Sequence, residues 1–511
     1  MKPKEIHRLP SIRQALRWLG PAYPGRRLGL AAVVVCLIVG LLGQPATGAL
    51  VVIALGLLAA GAIWLFNALH FVDVHIGATV GRARGWPVHS KAYPLYKFVD
   101  IHRAAERFAT QQPGSVELRS EHPFVLGGIL HGISRPAGRR LNSATMVSRK
   151  VGYDQETYLP TDTFWLLPPQ VGTPDRAAVI RVRLTPHTGM VALEVAAPRA
   201  EAATRILDAL AELASEHSIY RNHMIRVVFG PEVHSDYGDD ESLEPMDLVF
   251  YNETPIAADD IILDETHHGI IERTIVDFHQ RREQLLQLGL PGKRGVLFYG
   301  PPGTGKTYTC KYIAQRLTSV TTIVVTGHAL LHMKAICAIA KMLQPALVLL
   351  EDVDLVFAHR ENNAYNTVLG EFIDQLDGFG ESDQIIFILT TNAIDRIEPA
   401  IKDRPGRVSQ CIYFGPPSAV LRRRYLDKLV QPYDSTALNL ARVVGQTESV
   451  SQAFLKELVF RAVQIASASP SANGAGLRLN DDHFASALHD MTNGSGQAAH
   501  KIIGFRMEID R

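Results

Sequence analysis

Cysteine is scarce in this chain. Cys36, Cys310, Cys337 and Cys411 are the four among 511 residues, and no two stand at a paired spacing. That excludes a disulfide framework and a cysteine zinc site, and it suits a reducing compartment. Neither sign of charge is in excess: 52 Lys and Arg stand against 51 Asp and Glu, a formal net charge of +1. No long-range field draws the chain towards nucleic acid, and no nucleic-acid partner is expected. The stretch after residue 418 lacks the H-E-x-x-H helix of a fused metalloprotease. Internal repeats and long low-complexity tracts are absent as well.

Long apolar runs occur only near the N-terminus. Leu28 to Gly43 and Ala49 to Phe66 carry no charge and are joined by "QPATG". Two such runs predict a transmembrane helical hairpin over 28–71, the second run being about 18 residues, the lower end of spanning length. Gly56 and Ala60 provide a small-xxx-small face for close helix packing. Basic residues flank the hairpin on both outer sides (Arg13, Arg17, Arg26 and Arg27 before, Arg82, Arg84 and Lys91 after), and the turn has none. The positive-inside rule then places both termini in the cytoplasm, as for a multi-pass protein of a bacterial inner membrane. Within the basic segment 1–27, "SIRQALRWLG" is Arg-rich and amphipathic. It reads as a helix lying on the membrane surface, with a mitochondrial presequence as the alternative.

Residues 72–115 read as an extended link, and 116–252 as a small α+β domain. "AVIRVRL" (178–184) and "MVALEVA" (190–196) alternate as strands around the turn "TPHTG". "RAEAATRILDALAELASEHS" has helical spacing, and "MIRVVFG" returns as a strand of the same domain. The acidic run 235–247 fits no calcium loop and marks the boundary to the next domain.

Chemistry concentrates beyond residue 290. "GVLFYGPPGTGKTYT" (295–309) is a strand, a glycine loop and a helix start matching G-x-x-x-x-G-K-[ST]. In such a loop backbone N–H groups turn inward to cradle phosphates at the positive end of a helix. Gly300, Pro301, Pro302, Gly303, Thr304, Gly305, Lys306, Thr307 and Tyr308 are the candidate nucleotide-binding residues. Lys306 is expected to reach the β- and γ-phosphates, and the Thr307 hydroxyl to meet Mg²⁺. "ALVLLEDVD" (346–354) is an apolar strand delivering acids to its C-terminal end, where parallel sheets bind ligands. If the strand continues through both acids, their side chains face opposite ways, and position assigns Glu351 to magnesium and Asp352 to the attacking water. "IIFILTTNAIDRIEPAIKDRPGRV" (385–408) is a further apolar strand, ending in Thr390, Thr391 and Asn392 and followed by "RPGR".

The glycine loop, the acidic strand, the strand ending "TTN" and "RPGR", in this order, resemble the AAA family of ring ATPases over roughly 253–490. The fold class this implies is α/β: a P-loop AAA+ module (a parallel sheet with helices on both faces, 253–418) plus a small helical lid (419–490) and a tail (491–511). The resemblance implies an ATPase using ATP and Mg²⁺ within a homo-oligomeric ring, a hexamer or heptamer. It makes Asn392 the sensor that positions the lytic water, and Arg404 and Arg407 the fingers that reach a neighbouring subunit's γ-phosphate. Where the family has a Ser-Gly-Ala turn against adenosine, this chain has "TESVSQAF", with Gln452 in the glycine place. Within the family the Glu-Asp order and "LPGKRGVLFYGPPGTGKT" are most similar to the membrane-anchored translocase of the mitochondrial Rieske iron–sulfur protein and its bacterial relatives. The expected function is remodelling or translocation of a protein client at the membrane; the alternative is a nucleotide-gated scaffold with slow hydrolysis. Threading members carry an aromatic pore loop between the glycine loop and the acidic strand. Here 326–345 has no Phe, Tyr or Trp, and an amphipathic helix with its preceding turn is favoured over an apolar paddle of Leu330, Leu331 and Met333.

Overall fold

The computed structural model describes Leu58 and residues 72–81, 83–120, 125–130, 144–170, 177–185, 189–229, 246–251, 254–357, 378–394, 408–468 and 477–493. The hairpin expected over 28–71 lies, but for Leu58, outside the described residues. Among the described residues no helix is long and apolar enough to cross a membrane. The chain divides into two compact units, Met1–Ile219 with Gly230–Asp247, and Tyr220–Phe229 with Leu248–Arg511.

The first unit is built on an antiparallel sheet of β1 (Val88–Pro94), β2 (Val116–Arg119), β5 (Asp162–Leu167), β6 (Ala178–Thr185) and β7 (Met190–Ala196), in the order β1-β7-β6-β5-β2. A separate hairpin pairs β3 (Met146–Lys150) with β4 (Glu156–Pro160). Both faces of the five-stranded sheet are covered, which alternation along β5 makes plain. Trp165 and Leu167 pack with helices α1 (Phe98–Thr110) and α2 (Ala200–Glu216), whereas Phe164 and Leu166 pack with Val72, Ile76 and Leu126. The expected strands and long helix are present here. The link expected over 72–115 is not: β1, α1 and the helix Val72–Val80 are integral to the two cores, because their apolar residues close both faces of the sheet.

A buried ion cluster crosses this sheet. Arg181, with no exposed surface, donates to Asp162 Oδ1 and Oδ2 at 2.8 and 2.7 Å and to Glu194 Oε2 at 3.1 Å. Glu194 Oε1 accepts from the Leu126 N–H at 3.1 Å. Satisfied buried clusters are close to neutral in net stability, but removing one member strands the others in low dielectric.

The second unit holds a seven-stranded sheet in the order β14-β10-β13-β12-β11-β8-β9. Its strands are β8 (Met224–Phe229), β9 (Met246–Phe250), β10 (Arg294–Tyr299), β11 (Thr321–Val325), β12 (Ala346–Leu350), β13 (Ile385–Thr391) and β14 (Gln410–Tyr413). β14, β10, β13, β12, β11 and β8 pair parallel throughout. Every residue of β11, β12 and β13 is buried, as strands covered on both faces require. The strand "MIRVVFG", assigned from sequence to the upstream domain, instead extends this sheet beyond β11, with Ile225 opposite Ile323. Its apolar alternation suits either sheet, so the pattern alone did not choose.

A helical subdomain completes the unit: α3 (Ala419–Val430), α4 (Leu440–Gln446), α5 (Gln452–Ser467) and α6 (Asp481–Asn493) pack around Leu426, Phe454, Leu458 and Phe484. Segment 326–345 is a turn, Gly327–His332, leading into the helix Met333–Met342. Leu330 and Met333 are buried, so the helix reading holds and they form no paddle.

Arg181→Met should destabilise the first unit by about 3–5 kcal/mol, the cost of leaving buried carboxylates unpaired. Thermal and urea melting of the variant beside the parent measures this.

Candidate functional site

The glycine loop follows β10 and runs into the helix α7 (Lys306–Arg316). Two of its glycines are required by close approach. A Cβ on Gly300, at φ +147°, would lie 2.1 Å from the Phe414 carbonyl oxygen that follows β14. A Cβ on Gly303, at φ +76°, would lie 2.7 Å from Ala453 Cβ at the start of α5. The Gly303 carbonyl accepts from the Ala453 N–H at 3.1 Å, so the loop and the helical subdomain are tied backbone to backbone. The Thr304 hydroxyl donates to the Pro301 carbonyl at 2.8 Å and fixes the loop from within.

Lys306 is buried, and its ammonium donates to the carbonyls of Gly300 and Pro301, both at 2.9 Å, and to Asn392 Oδ1 at 2.7 Å. Burial pulls its pKa down to about 8, against Asp352 and Asp354, which hold it up. The Asn392 amide is oriented by two opposite demands. Its oxygen faces Lys306, and its Nδ2 donates to Asp352 Oδ1 at 2.9 Å. One side chain thus joins the phosphate-binding amine to the candidate base.

The acids depart from the strand geometry expected of them. β12 ends at Leu350, although the Glu351 N–H still reaches the Val325 carbonyl at 3.0 Å. Asp352 lies beyond the ladder in a left-handed conformation, φ +51°. Alternation of strand faces therefore does not separate the two carboxylates. Asp tolerates that backbone far better than Glu, because its short side chain makes local hydrogen bonds there. This is a physical reason for Asp at the second place, independent of its chemistry.

Asp354, to which the sequence motifs assign no task, holds the two strand ends together. Its Oδ1 accepts from the Thr391 hydroxyl at 2.9 Å and from the Asn392 N–H at 3.0 Å. The Asp352 N–H donates to Thr390 Oγ1, and the Val353 N–H to the Thr390 carbonyl, each at 3.0 Å. The only sequence signal for it is a third acid two residues after Asp352.

These groups open onto a cavity of about 580 Å³, in the range of small-molecule sites. Pro302 to Tyr308, Asp352 and Asn392 line it. Gly300 and Pro301 act from behind, through the carbonyls that hold Lys306. Glu351 is not among the lining residues; its carboxylate raises the buried Cys310 thiol's pKa, after burial itself. Arg404 and Arg407 lie outside the described residues. The rest of the lining includes Ile261, Ile262 and Leu263, which the motifs did not reveal, together with Tyr425, Leu429 and Gln452. An ion pair of Asp260 with Lys428 borders it and lowers the Asp260 pKa, chiefly through that hydrogen bond.

The donor set suits magnesium, a hard cation that takes one or two protein oxygens and leaves the remainder to phosphate and water. The Thr307 hydroxyl and a carboxylate of the acid pair would hold it. The chemistry it would supply there is neutralisation of phosphate charge.

Residues 296–416 match the model of the ATPase family associated with various cellular activities (AAA). The chain is 29% identical over 197 residues to the 26S proteasome regulatory subunit 4 homolog of Encephalitozoon cuniculi, covering 35% of this chain and 46% of that protein. It is 28% identical over 225 residues to the ATP-dependent zinc metalloprotease FtsH 2 of a Thermoanaerobacter species, covering 41% and 42%. It is 30% identical over 188 residues to the 26S proteasome regulatory subunit 8 homolog of Schizosaccharomyces pombe, covering 33% and 45%. Over this segment the chain is similar to AAA ATPase modules. The chain spans less than half the length of these relatives. AAA ATPases use ATP, typically with Mg²⁺, and generally form oligomeric rings that act on protein substrates.

Phosphate oxygens arriving at Lys306 favour its ammonium form. Nucleotide binding should therefore take up a proton at pH 8.5, and affinity should fall as pH rises through about 8. At pH 6.5 the amine is already charged and uptake at this group should vanish. Calorimetry in two buffers of different ionisation enthalpy reads the uptake directly, and a Lys306→Met variant should show none at either pH.

Proposed function

We propose that the protein is a membrane-anchored AAA ATPase that couples ATP hydrolysis in a homo-oligomeric ring to remodelling or translocating a protein client. The single observation that carries the catalytic part is the Asn392 amide, which connects Lys306 to Asp352 across the two central strands. In this reading Lys306 exchanges its carbonyl partners for β- and γ-phosphate oxygens. Asp352, held by Asn392, orients a water in line with the γ-phosphorus and receives its proton as the new P–O bond forms and the bond to the β-phosphate oxygen breaks. Glu351 would serve magnesium with Thr307, leaving Asp352, which lines the cavity, for the water.

The ring and the membrane rest on other supports. Arg404 and Arg407, in the "RPGR" segment, are proposed as fingers acting on a neighbouring subunit. The uncharged runs with basic flanks support a hairpin anchor in a bacterial inner membrane, with the ATPase module in the cytoplasm. The Glu-Asp order supports kinship with the Rieske-protein-translocase-like branch. The buried Leu330 and Met333 argue against an apolar threading loop at that place, so the client is moved by another surface.

Asp352→Asn should keep ATP bound while slowing hydrolysis by about 10²–10⁴, the usual worth of a positioned base. Arg407→Ala should cost about 10³–10⁵ if the finger acts in trans. Phosphate release and nucleotide binding by both variants, each measured across a dilution series, check the two points. Parent-rate hydrolysis by Asp352→Asn, or a specific activity unchanged by dilution to monomers, would refute the base and the ring respectively.

A further inference from the structure

Gln452 stands at the first turn of α5, where it lines the cavity, next to the Ala453 that meets Gly303. It is 9% exposed, and its Nε2 donates to the Ile262 carbonyl at 3.4 Å. Its Oε1 is shielded from solvent and has no hydrogen-bond partner among the described residues. A shielded amide oxygen without a donor is unfavourable, so the position calls for one. The cavity it lines is mixed: Ile261, Ile262, Leu263 and Leu429 are apolar, and Tyr425, Lys428 and Lys456 line it as well. Apolar walls with a small number of placed polar groups are the usual form of a small-molecule site.

We propose that Gln452 is the residue that selects the base of the nucleotide, its Oε1 accepting a hydrogen bond from the 6-amino group of adenine. The proposal rests on the reading of this cavity as an ATP site and names what sets its base preference. The Ile262 carbonyl makes the selection one-sided. An amide presents a donor or an acceptor depending on which way it is turned. Turning Gln452 to offer its NH₂ to the 6-keto oxygen of guanine or hypoxanthine would bring Oε1 against the Ile262 carbonyl oxygen, two acceptors facing each other. Oε1 is shielded, so the amide must turn about its broad terminal torsion to meet a seated base, and the 3.4 Å bond to Ile262 holds it only weakly against that turn.

The side chain also has a second consequence. A glycine at this place would leave the contact to backbone groups alone. Gln452 links the start of α5, whose Ala453 N–H binds Gly303, to the segment at Ile262. Base recognition and closure of the helical subdomain on the glycine loop thus share one residue.

The test uses the full chain with Mg²⁺ at pH 7 and displacement of a fluorescent ATP analogue. The competitors are ATP, purine riboside triphosphate, which lacks the 6-amino group, and inosine triphosphate, which carries a 6-keto oxygen. The parent should bind ATP about 5- to 30-fold more tightly than purine riboside triphosphate, and inosine triphosphate no better than the latter. Gln452→Leu, of similar size, should bind all three within about twofold of one another. Equal binding of ATP and purine riboside triphosphate by the parent would overturn the proposal, with no variant needed. Retention of the full preference in Gln452→Leu would overturn it as well, and would assign base selection to the backbone. If the parent binds none of the three while its melting curve is cooperative, the ATP-site reading fails first and the role of Gln452 falls with it.

Discussion

The carboxylate of Asp354 is the constraint on which the site depends. Two parallel strands can end side by side without their following residues being placed, because beyond the ladder each chain is free to diverge. Asp354 removes that freedom by accepting from both the Thr391 hydroxyl and the Asn392 N–H on the neighbouring strand. With Asn392 fixed, its amide has one orientation in which both ends are satisfied, oxygen to Lys306 and nitrogen to Asp352. The left-handed backbone at Asp352 is strained for most residues and persists because Thr390 and Asn392 hold it from two sides. The acid order that looks transposed in the sequence then has a steric origin in the turn.

The loop and the helical subdomain are coupled by equally short contacts. Gly303 has no room for a side chain beneath Ala453, and Ser451 caps the helix that bears Ala453 by accepting from the Phe454 N–H at 3.2 Å. Any displacement of that helix is felt at the phosphate loop. Nucleotide contacts made at both ends of the cavity would therefore bias the position of the subdomain, which is how chemistry at one site can become movement.

What was legible in the sequence was local. The glycine loop, Lys306, Thr307 and Asn392 announce themselves because a strand, a tight turn and a helix start impose residue types over a few positions. The hairpin of β6 and β7 and the long helix after it were legible for the same reason, through their periods of two and 3.6. Asp354 and Ile262 were not, since each takes its role from a partner 37 to 190 residues away, and at Gln452 the resemblance implied a place beside adenosine but not the bond to Ile262. The strand 224–229 is a strand, as its alternation says, but it belongs to the other sheet, because a period of two says which face is buried and not against what. Within 72–115 the 13-residue helix Phe98–Thr110 does show its period, with Phe98, Ile101 and Ala105 buried on one face, so reading the whole stretch as a link overlooks a local signal.

The clamp is tested most directly by single-turnover ATP hydrolysis in two variants of one residue. Both of its hydrogen bonds end on Asp354 Oδ1, so Asp354→Asn keeps an acceptor in place and removes only the charge, whereas Asp354→Ala removes the acceptor. The account predicts that Asp354→Asn stays within about tenfold of the parent and that Asp354→Ala falls by about 10² or more with ATP still bound, the usual penalty for a reacting group displaced by about 1 Å. Hydrolysis at the parent rate by Asp354→Ala would contradict it, and so would an equal loss in both variants, which would make the charge rather than the hydrogen bonds responsible.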